Sequence, residues 1–488
     1  MRHDVAVIGA GPAGLAAAVT AADAGLDVAV IDAAGRPGGQ YYRHHAAESG
    51  ELHHGWQTFV RLRERLDRVA YLPGHRVWHV EPGFTVHAVA GDRDERPVEI
   101  EARALVIATG AYDRSLPFPG WELPGVLTAG AAQALLKGNL VVAGGRMVVA
   151  GTGPFLLPVA TGLAAAGATI AGVVEANRPY GFAATLARHP GKLIEGAGYA
   201  AALARRRIPY ALGSAVVEAH GADAVEAVTV ARIDRDWRPV EATRRVIECD
   251  AVAVGYGFTP QLEIPLQLGC ATRVDADGSL VVAVDAAQRT SVPGVYAAGE
   301  TTGVGGAQQA LAEGELAGRA AAHAVRSAGA ARSGPRGDAR VRRLLARRRR
   351  LRSFGAAMHA AYDVRPGWIT WLRDDTVVCR CEEVPRGVLT AAVDLGATDP
   401  RSVKLLSRVG MGWCQGRVCG YATTALTAAA TGREVDADDL RGLAQRPIAQ
   451  PIRLGDLAAP SEARSESPAD SPAESSAESP AKVKEDHP

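Results

Sequence analysis

The chain has no excess of either charge, no long apolar run and few aromatic residues, and each absence excludes a class of protein. Its 54 basic and 53 acidic residues leave a formal net charge of +1, which argues against a nucleic-acid-binding protein. Glycine or charge interrupts every apolar stretch before it reaches the length of a membrane span. Aromatic residues contribute only 5% while glycine occurs 55 times, a balance typical of wound α/β sheets. We therefore expect a cytoplasmic α/β protein of two or three domains, without nucleic acid and without a membrane span.

Cysteine is also scarce, and its distribution along the chain is uneven. No cysteine precedes Cys249, and no secretory signal precedes the first predicted strand, so disulfide bonds are disfavoured in an intracellular chain. Cys249 and Cys270 stand apart from each other, and we predict that both are buried thiols. The remaining four form two tight pairs, Cys379-x-Cys381 and Cys414-x4-Cys419.

These two pairs predict a metal centre near the C-terminus. Four thiolates can converge on one compact centre, and all-cysteine ligation is what a [2Fe–2S] cluster requires. Zinc ribbons usually carry two residues between paired cysteines, whereas one and four residues intervene here. Zinc and disulfide bonds remain the alternatives. We expect an iron–sulfur cluster held by Cys379, Cys381, Cys414 and Cys419.

The N-terminus predicts a dinucleotide-binding unit. An apolar strand over residues 4–8 leads into a glycine-rich turn and a helix over 15–24, and a second strand over 28–31 ends at Asp32. The first glycine of such a turn permits a tight bend, the second lets a pyrophosphate approach, and the third lets the helix pack closely on the sheet. The acid at the strand end can accept hydrogen bonds from a ribose. The predicted nucleotide contacts are Gly9, Gly11, Pro12, Ala13, Gly14 and Asp32.

Three later segments give this unit a family resemblance. Gly35-Arg36-Pro37-Gly38-Gly39-Gln40, Ala108-Thr109-Gly110 and Val295-Tyr296-Ala297-Ala298-Gly299-Glu300 together resemble the glutathione-reductase-like flavoproteins, which have two dinucleotide domains. The resemblance implies FAD at the first site. It also implies that a helix beginning near Ala307 points its positive end at the flavin. The position of Val77 along the chain, and nothing else, predicts that its backbone lies near adenine. The further FAD contacts predicted are Gly39, Gln40, Val77, Thr109, Gly110, Gly299, Glu300, Ala307 and Gln308.

A second nucleotide unit is predicted in the middle of the chain. A strand over 147–150 leads into Gly151-Thr152-Gly153, a helix to Ala166 and a strand ending before Glu175. Leu156 stands where the third glycine belongs, which predicts the fold but weakens the case for pyrophosphate binding. Glu175 favours NAD over NADP because it repels a 2′-phosphate. NAD(P), another adenine nucleotide and an empty site remain the alternatives, with Gly151, Gly153 and Glu175 as the candidate contacts.

The predicted organisation is two Rossmann-like domains followed by a small α-rich domain. Thiol–disulfide chemistry is disfavoured because no cysteine pair precedes Cys249. The basic run Arg340–Arg352 predicts a helix with a solvated face, and a surface for an acidic partner is the alternative. The predicted segments are 1–140 and 251–330 (FAD-binding domain), 141–250 (inserted NAD(P)-like domain), 331–373 (linker and basic helix), 374–444 ([2Fe–2S] domain) and 459–488 (disordered tail).

The cysteine segments resemble the bacterioferritin-associated-ferredoxin-like (BFD-like) [2Fe–2S] domain. Joined to the two nucleotide units in this order, they make the chain similar to the A or alpha subunits of opine oxidases, hydrogen cyanide synthase and dye-linked proline or hydroxyproline dehydrogenases. That resemblance implies electron transfer beside a D-amino-acid-oxidase-like flavoprotein subunit, with or without a small ferredoxin-like subunit. A self-sufficient NAD(P)H-dependent reductase and a non-catalytic redox-sensing or docking module are the alternatives. No catalytic acid or base can be assigned from the sequence.

Overall fold

The computed structural model describes residues 1–47, 50, 52–91, 95–179, 182, 185–186, 188–327 and 339–458. The chain divides into two compact units, Met1–Pro451 and Ile452–Pro488. The described part of the second unit contains the short helix Leu454–Ala458. The predicted tail, 459–488, and residues 331–338 of the predicted linker lie outside the described residues.

The strands range from two to twelve residues, and β6 is the longest. In chain order they are β1 Arg2–Ile8, β2 Val28–Asp32, β3 Ala70–Pro73, β4 His75–Val80, β5 Thr85–Ala90, β6 Arg96–Ile107, β7 Ala111–Asp113, β8 Val126–Thr128, β9 Arg146–Gly151, β10 Thr169–Glu175, β11 Tyr210–Leu212, β12 Ser214–His220, β13 Ala227–Arg232, β14 Arg245–Glu248, β15 Ala251–Gly255, β16 Phe258–Pro260, β17 Thr272–Val274, β18 Leu280–Val282, β19 Val295–Ala297, β20 Val377–Cys379 and β21 Val384–Pro385.

The α-helices alternate with strands in the first half of the chain and follow one another near the C-terminus. They are α1 Pro12–Asp23, α2 Trp56–Arg63, α3 Ala129–Asn139, α4 Leu156–Ala165, α5 Pro190–Arg205, α6 Glu263–Gln267, α7 Ala307–Arg326, α8 Ala339–Ala361, α9 Arg386–Asp394, α10 Pro400–Ser407, α11 Gly420–Ala430, α12 Ala437–Ala444 and α13 Leu454–Ala458. None of the described helices is long and apolar enough to cross a membrane.

The first sheet brings distant parts of the chain to one edge. Its order is β3-β2-β1-β6-β5-β4, and β19 also pairs with β6. Strands β1, β2, β6 and β19 run parallel, with Val7 opposite both Val30 and Val106. Because parallel strands end at the same edge of a sheet, the segments that follow these four strands meet there. This edge carries most of the predicted FAD contacts.

Small residues bring the helices α1 and α7 into close contact. A Cβ atom on Gly314 would lie 2.1 Å from the Ala13 carbonyl oxygen, and one on Gly318 would lie 2.4 Å from that of Ala17. A larger residue at either position would push the helices apart. The contact holds the start of α7 beside the glycine turn that precedes α1.

The second sheet contains the strands of the predicted second nucleotide unit, with the order β11-β10-β9-β15-β8 and all neighbours parallel. Its strands β8 and β15 lie outside the predicted range 141–250. Gly151 lies opposite both Glu175 and Gly255 at its carboxyl edge. A three-stranded antiparallel sheet, β12-β13-β14, packs beside it. The predicted second Rossmann-like unit is therefore present, with Leu156 only 1% exposed in its core.

The region of α9 to α12 and the hairpin β20-β21 shares a hydrophobic core with the inserted domain. Trp237, Trp371, Cys379 and Leu426 belong to one buried cluster. The indole Nε1 of Trp121 donates to the Val377 carbonyl at 2.6 Å. The cysteine-rich region is thus packed firmly against the rest of the first unit.

The basic helix α8 turns part of its charge inward. Arg348 and Arg352 each pair with Glu313 of α7, whose side chain is fully buried, at 3.3 and 2.8 Å. The prediction of a solvated face is therefore wrong for these two arginines. A buried carboxylate on α7 needs cationic partners, and α8 supplies them.

Candidate flavin and iron–sulfur sites

The glycine turn after β1 has the geometry that a pyrophosphate requires. Gly9 has a φ of +105°, and a Cβ atom there would lie 2.3 Å from the Ala108 carbonyl oxygen. A Cβ on Gly14 would lie 1.8 Å from the Gly9 carbonyl oxygen. A Cβ on Gly11, in contrast, would meet nothing closer than the Gly39 Cα at 3.9 Å. The turn is therefore closed on the sheet side and open where a phosphate would approach.

The helix α1 begins at this opening with unused donors. Its N-cap is Gly11, no side chain caps it, and Pro12 occupies its first position. The N–H groups of the first turn of a helix have no partner within the helix, and they bind anions. The residues thus fit a dinucleotide, whose pyrophosphate Gly11–Ala13 would hold.

Asp32 holds the same turn in shape. Its Oδ2 accepts from the Ala10 N–H at 2.5 Å, and its Oδ1 accepts from the Ala34 N–H at 2.7 Å. Burial is the main effect on this carboxyl group and raises its pKa above the ordinary value, while the two N–H groups lower it. Asp32 remains partly exposed, so its contact with a ribose stays a prediction.

The other predicted FAD residues in the first part of the domain differ in their burial and in their contacts with this edge. A Cβ on Gly39 would lie 2.8 Å from the Gly11 Cα, so the two glycines face each other closely. Thr109 Oγ1 donates to the Gln261 carbonyl at 3.1 Å, which fixes the turn at Gly110. Val77 is buried on β4, and Gln40 is exposed and accepts from Arg43 Nε.

The residues after β19 complete the edge. The Gly299 N–H donates to Glu313 Oε2 at 3.1 Å. Burial, and next the neighbouring Asp113 carboxylate, raise the pKa of Glu300 to about 7. The helix α7 starts at Ala307 without a side-chain cap, so no side chain satisfies its first N–H groups. Their contact with the flavin stays a prediction. Gln308 is exposed and accepts from Arg347 at 2.6 Å.

The second nucleotide fold differs from the first at the acidic residue that ends its second strand. Glu175 is fully buried, and its Oε1 accepts from Thr152 Oγ1 and from the Asn177 N–H, both at 2.8 Å. Its Oε2 accepts from the Gly153 N–H at 2.9 Å. Burial raises the pKa of Glu175 to about 7. Three protein donors therefore occupy the carboxylate that was expected to meet a ribose.

A segment from the C-terminal half covers this second edge. The Asn177 side-chain amide donates to Thr152 Oγ1 and to the Asp363 carbonyl, at 2.8 and 2.9 Å. Phe182 packs against the rings of Phe354 and Tyr362. We call residues 354–371 the covering segment.

The far end of the covering segment is anchored on the three-stranded sheet. Trp371 Nε1 donates to the Trp237 carbonyl at 2.8 Å, and the two indoles stack with centroids 6.1 Å apart. The Gly367 N–H donates to the Asp236 carbonyl at 2.8 Å, and a Cβ on Gly367 would lie 2.1 Å from that oxygen. The segment is thus tightly packed, and the only residue that fits at position 367 is glycine.

The structure brings together the four cysteines that were predicted to hold a cluster. The Cys419 thiol contacts both Cys379 and Cys414, and Cys414 contacts Cys381. Cys379 and Cys419 are buried, Cys414 is half-buried and Cys381 is exposed. All six cysteines of the chain are free in the structure. Within the described residues, no group of three or more His, Cys, Asp or Glu is arranged to hold a single metal ion.

Backbone N–H groups surround the sulfur atoms. The Gly410 N–H donates to Cys379 Sγ at 3.5 Å, and those of Gly416 and Val418 point at Cys414. The Cys419 thiol, and after it several N–H groups, lower the pKa of Cys379 to about 6 against the opposing effect of burial. A ligand thiol must lose its proton, and N–H donors stabilise cluster sulfur atoms. The residues therefore fit a [2Fe–2S] cluster.

The other two cysteines are buried, as predicted. Cys249 is 4% exposed and Cys270 is 5% exposed. Burial raises the pKa of Cys249 to about 11, so it stays a protonated thiol. Neither belongs to the cluster site.

Sequence reasoning missed the residues that join the two sites. Arg417, between Cys414 and Cys419, reaches Tyr112 and Glu263 of the flavin-binding region. Arg114 lies over the ring of Tyr421, with its guanidinium carbon 4.5 Å from the ring centroid. An arginine inside a cysteine loop was the available signal, but its partners are more than 150 positions away in the chain.

Comparisons with known proteins agree with these two sites. A family model described as pyridine nucleotide-disulphide oxidoreductase matches residues 3–314. A model described as BFD-like [2Fe-2S] binding domain matches residues 377–428. Both ranges coincide with the regions in which the glycine turns and the four thiols lie.

Two curated relatives match over nearly their whole length. Hydrogen cyanide synthase subunit HcnB of Pseudomonas aeruginosa is 34% identical over 440 residues, which cover 88% of this chain and 93% of that protein. An opine oxidase subunit of Agrobacterium tumefaciens is 32% identical over 483 residues, which cover 95% of this chain and 93% of that protein. The solved L-proline dehydrogenase from P. horikoshii is 22% identical, with a TM-score of 0.65 over 94% of this chain and 80% of that chain, and shares the fold.

The predicted family, fold class and cofactors are thereby confirmed. The glycine turn of the first fold fits FAD, and the four thiols fit an iron–sulfur cluster. The chain therefore belongs to the pyridine nucleotide-disulphide oxidoreductase family, as a FAD-dependent oxidoreductase with a BFD-like [2Fe–2S] domain, homologous to HcnB and to the opine oxidase protein.

Proposed function

We propose that this chain is the electron-transferring subunit of a hetero-oligomeric enzyme that oxidises the C–N bond of an amino acid, an opine or a related amine. The observation that carries this proposal is the closure of the second nucleotide fold. Glu175 is fully buried with three protein donors, and the covering segment lies at the edge where NAD(P)H would bind. We infer that NAD(P)H is not the electron donor of this chain, and that electrons reach the flavin from another source.

The relatives support another protein as that source. HcnB and the opine oxidase relative are both named as subunits of larger enzymes. We propose that the partner is a D-amino-acid-oxidase-like flavoprotein, with or without a small ferredoxin-like subunit. On this account the C–N bond is broken on the partner. This chain then needs no catalytic acid or base of its own, in keeping with the lack of one in the sequence.

The chain's residues have three tasks under this proposal. Gly9, Gly11 and the start of α1 hold the FAD pyrophosphate, and the start of α7 faces the flavin with free N–H groups. Bound FAD supplies the exchange between two-electron and one-electron chemistry. The four thiolates and their N–H donors hold the cluster and stabilise its added charge.

One side of the cluster site lies at the protein surface. Cys381 is exposed, and Trp413, next to Cys414, is 86% exposed. Met411 is also exposed in the same loop. An electron carrier must bring its centre close to the surface that meets its redox partner. This exposed loop supports electron exchange between the cluster and another protein.

We further propose a cytoplasmic location. Four of the six cysteines are the proposed cluster ligands, and Cys249 and Cys270 are buried free thiols. Free thiols persist in reducing compartments, where disulfide bonds rarely form. The thiols therefore support the cytoplasm as the location.

The proposal is tested by anaerobic reduction of the purified chain with and without its partner. The chain is co-produced with a D-amino-acid-oxidase-like protein from the same genome, and opines, proline and glycine are added in turn. We expect one of these substrates to produce the electron paramagnetic resonance (EPR) signal of a reduced [2Fe–2S] cluster, only when both proteins are present. Rapid reduction of the isolated chain by NADH or NADPH would overturn the proposal and favour the self-sufficient reductase.

A further inference from the structure

One arginine connects the cluster loop with the flavin-binding region. Arg417 lies three residues after Cys414 and two before Cys419, and its side chain is only 11% exposed. Its Nη1 donates to the Cys414 carbonyl at 3.3 Å. Its Nη2 donates to the Ala449 carbonyl. The guanidinium is thus fixed to the backbone of the loop that carries two cluster ligands.

The other side of the same guanidinium meets two side chains that follow the flavin-binding edge. Its Nε lies 2.6 Å from Tyr112 Oη and 2.8 Å from Glu263 Oε1. Tyr112 is two residues beyond Gly110 on β7. Glu263, at the start of α6, is buried and also accepts from Tyr112 Oη at 3.2 Å. Arg417 therefore closes a network of three side chains.

The Thr109–Gly110 turn is tied to the network by two routes. The first is covalent, through Ala111 to Tyr112. The second crosses to Gln261, whose N–H donates to the Gly110 carbonyl at 2.9 Å and whose carbonyl accepts from Thr109 Oγ1. Gln261 is two residues before Glu263. Both routes lead from the predicted flavin contacts to Arg417 and end at the Cys414 backbone.

The charges make this connection rigid. The Glu263 carboxylate faces Arg417 and also Arg446, at 3.5 Å, and all three side chains are about nine-tenths buried. A buried carboxylate is tolerated only when cations and hydrogen bonds hold it in good geometry. Burial, and next the Glu263 carboxylate, raise the pKa of Tyr112, so its phenol keeps its proton. The network is therefore buried, and its carboxylate is paired with two cations and one phenol.

We propose that Arg417 is a positioning residue that holds the cluster at a fixed distance from the flavin, and that Cys414, Arg417, Tyr112 and Gly110 form the bonded route between the two cofactors. This inference rests on the proposed function and deepens it. In each transfer one electron leaves the reduced flavin and one electron enters the oxidised cluster. No bond along the route forms or breaks, and Tyr112 and Arg417 keep their protons.

The test uses two variants of the full chain and one control. Arg417→Met keeps the length of the side chain but removes its hydrogen bonds, and Tyr112→Phe removes only the phenol oxygen. The control is Arg408→Met, because Arg408 is also beside the cluster but pairs with Glu382 and is 68% exposed. A laser flash with deazaflavin reduces the flavin anaerobically, and the absorbance then follows the oxidation of the flavin and the reduction of the cluster.

We expect Arg417→Met to slow the flavin-to-cluster step by about tenfold or more, as loss of a supporting shell around a metal site does, with Tyr112→Phe smaller in effect. Flavin content, iron content and the EPR signal of the cluster stay at the wild-type level in Tyr112→Phe and in the Arg408→Met control. A wild-type rate in both Arg417→Met and Tyr112→Phe overturns the inference. The inference is also overturned if the rate in Arg417→Met falls only in proportion to its loss of iron while Tyr112→Phe keeps the wild-type rate.

Failure of the proposed function gives a different result from failure of this inference. NAD(P)H reduction of the isolated wild-type chain contradicts the proposed function but leaves the flavin-to-cluster rate free to depend on Arg417. The opposite result is that only the partner reduces the chain, while the flavin-to-cluster rate is unchanged in Arg417→Met and Tyr112→Phe. That result contradicts this inference and leaves the proposed function intact. If Arg417→Met does not fold, the rate of Tyr112→Phe decides, because phenylalanine fills the same space.

Discussion

The two nucleotide folds of this chain begin from the same strand, glycine turn, helix and strand, yet the acid that ends the second strand is held differently in each. A Cβ atom on Gly11 or on Gly153 would meet no atom closer than 3.9 Å, so both turns leave room beside their second glycine. In the first, Asp32 reaches the Ala10 N–H and leaves the amide of Gly11 free for a phosphate. In the second, Glu175 is longer by one methylene and reaches the Gly153 N–H, which corresponds to that of Gly11. The two folds therefore differ by one methylene group at this acid and by the covering segment at the edge of the second fold.

The third glycine adds to this difference. Gly14 lets α1 touch the Gly9 carbonyl, whereas Leu156 fills the core of the second fold at 1% exposure. A leucine there keeps the helix further from the strand and stabilises the domain by burial. The two folds thus also differ in how the helix packs on the sheet at this position.

The largest expected effect breaks the first fold. Gly11→Val places a side chain where the pyrophosphate approaches, and we expect nearly complete loss of FAD while the cluster remains. Absorbance and released flavin measure the FAD content, and iron analysis measures the cluster. Gly191→Val is the matched control, because a Cβ there meets nothing within 4 Å in the inserted domain. Stoichiometric flavin in Gly11→Val would count against the N-terminal site.

The second effect separates the cluster from the flavin. Cys414→Ser, or equally Cys381→Ser, removes one cluster ligand, so we expect loss of the cluster EPR signal with flavin content unchanged. The control is Cys270→Ser, since Cys270 is buried outside the cluster site and should keep both cofactors. Simultaneous loss of both cofactors in a folded Cys414→Ser protein would contradict independent sites.

The third effect restores the glycine of the second fold. Leu156→Gly removes a buried side chain, and we expect a loss of about 2–5 kcal/mol in unfolding free energy from the cavity, with a further cost from glycine in a helix. We expect no NADH binding, since Glu175 still occupies the Gly153 N–H. Thermal unfolding and NADH titration measure both. Leu157→Gly, half-buried in the same helix, is the control for the glycine itself. Tight NADH binding by Leu156→Gly would show that Leu156 alone closes the fold.

The smallest effect concerns the pH dependence of stability. Burial raises the pKa of Glu175 from 4.5 to about 7, so the folded chain binds this proton more tightly than the unfolded chain does. The stabilisation from the proton is complete below about pH 4.5 and is lost as the pH rises to about 7.

Glutamine does not titrate, so the comparison with Glu175→Gln isolates this effect. We expect the unfolding free energy of the wild type, relative to Glu175→Gln, to fall by about 1–3 kcal/mol between pH 5 and pH 8. Denaturant unfolding at several pH values measures it, with Glu195→Gln as control, because the Glu195 side chain is 38% exposed. A difference that does not change with pH would mean that Glu175 is ionised throughout.

Local patterns in the sequence predicted the elements of the fold well. The glycine turns, the first strands and the start of α7 lie where the sequence placed them, and the four cysteines meet as expected. These features depend on residues close together in the chain, or on a metal chemistry that allows few alternatives.

Contacts between distant residues could not be predicted in the same way. Asn177 and Asp363 are 186 residues apart, and Arg417 and Tyr112 are 305 apart. The position of Glu175 at the end of a strand suggests a contact with a ribose. Only the burial of its carboxylate and its three hydrogen-bond donors show that other protein groups occupy it. The inward pairing of Arg348 and Arg352 likewise depends on Glu313, which lies on another helix. Periodicity carries no information on such pairs.

The measurement that tests the central claim most directly is the visible spectrum of the anaerobically purified wild-type chain, recorded before and after NADH, NADPH and dithionite. We predict flavin and cluster bands that persist with either nucleotide and bleach only with dithionite, because the second fold is closed. Rapid bleaching by NADH or NADPH would contradict the account, since it would require a nicotinamide site in this chain.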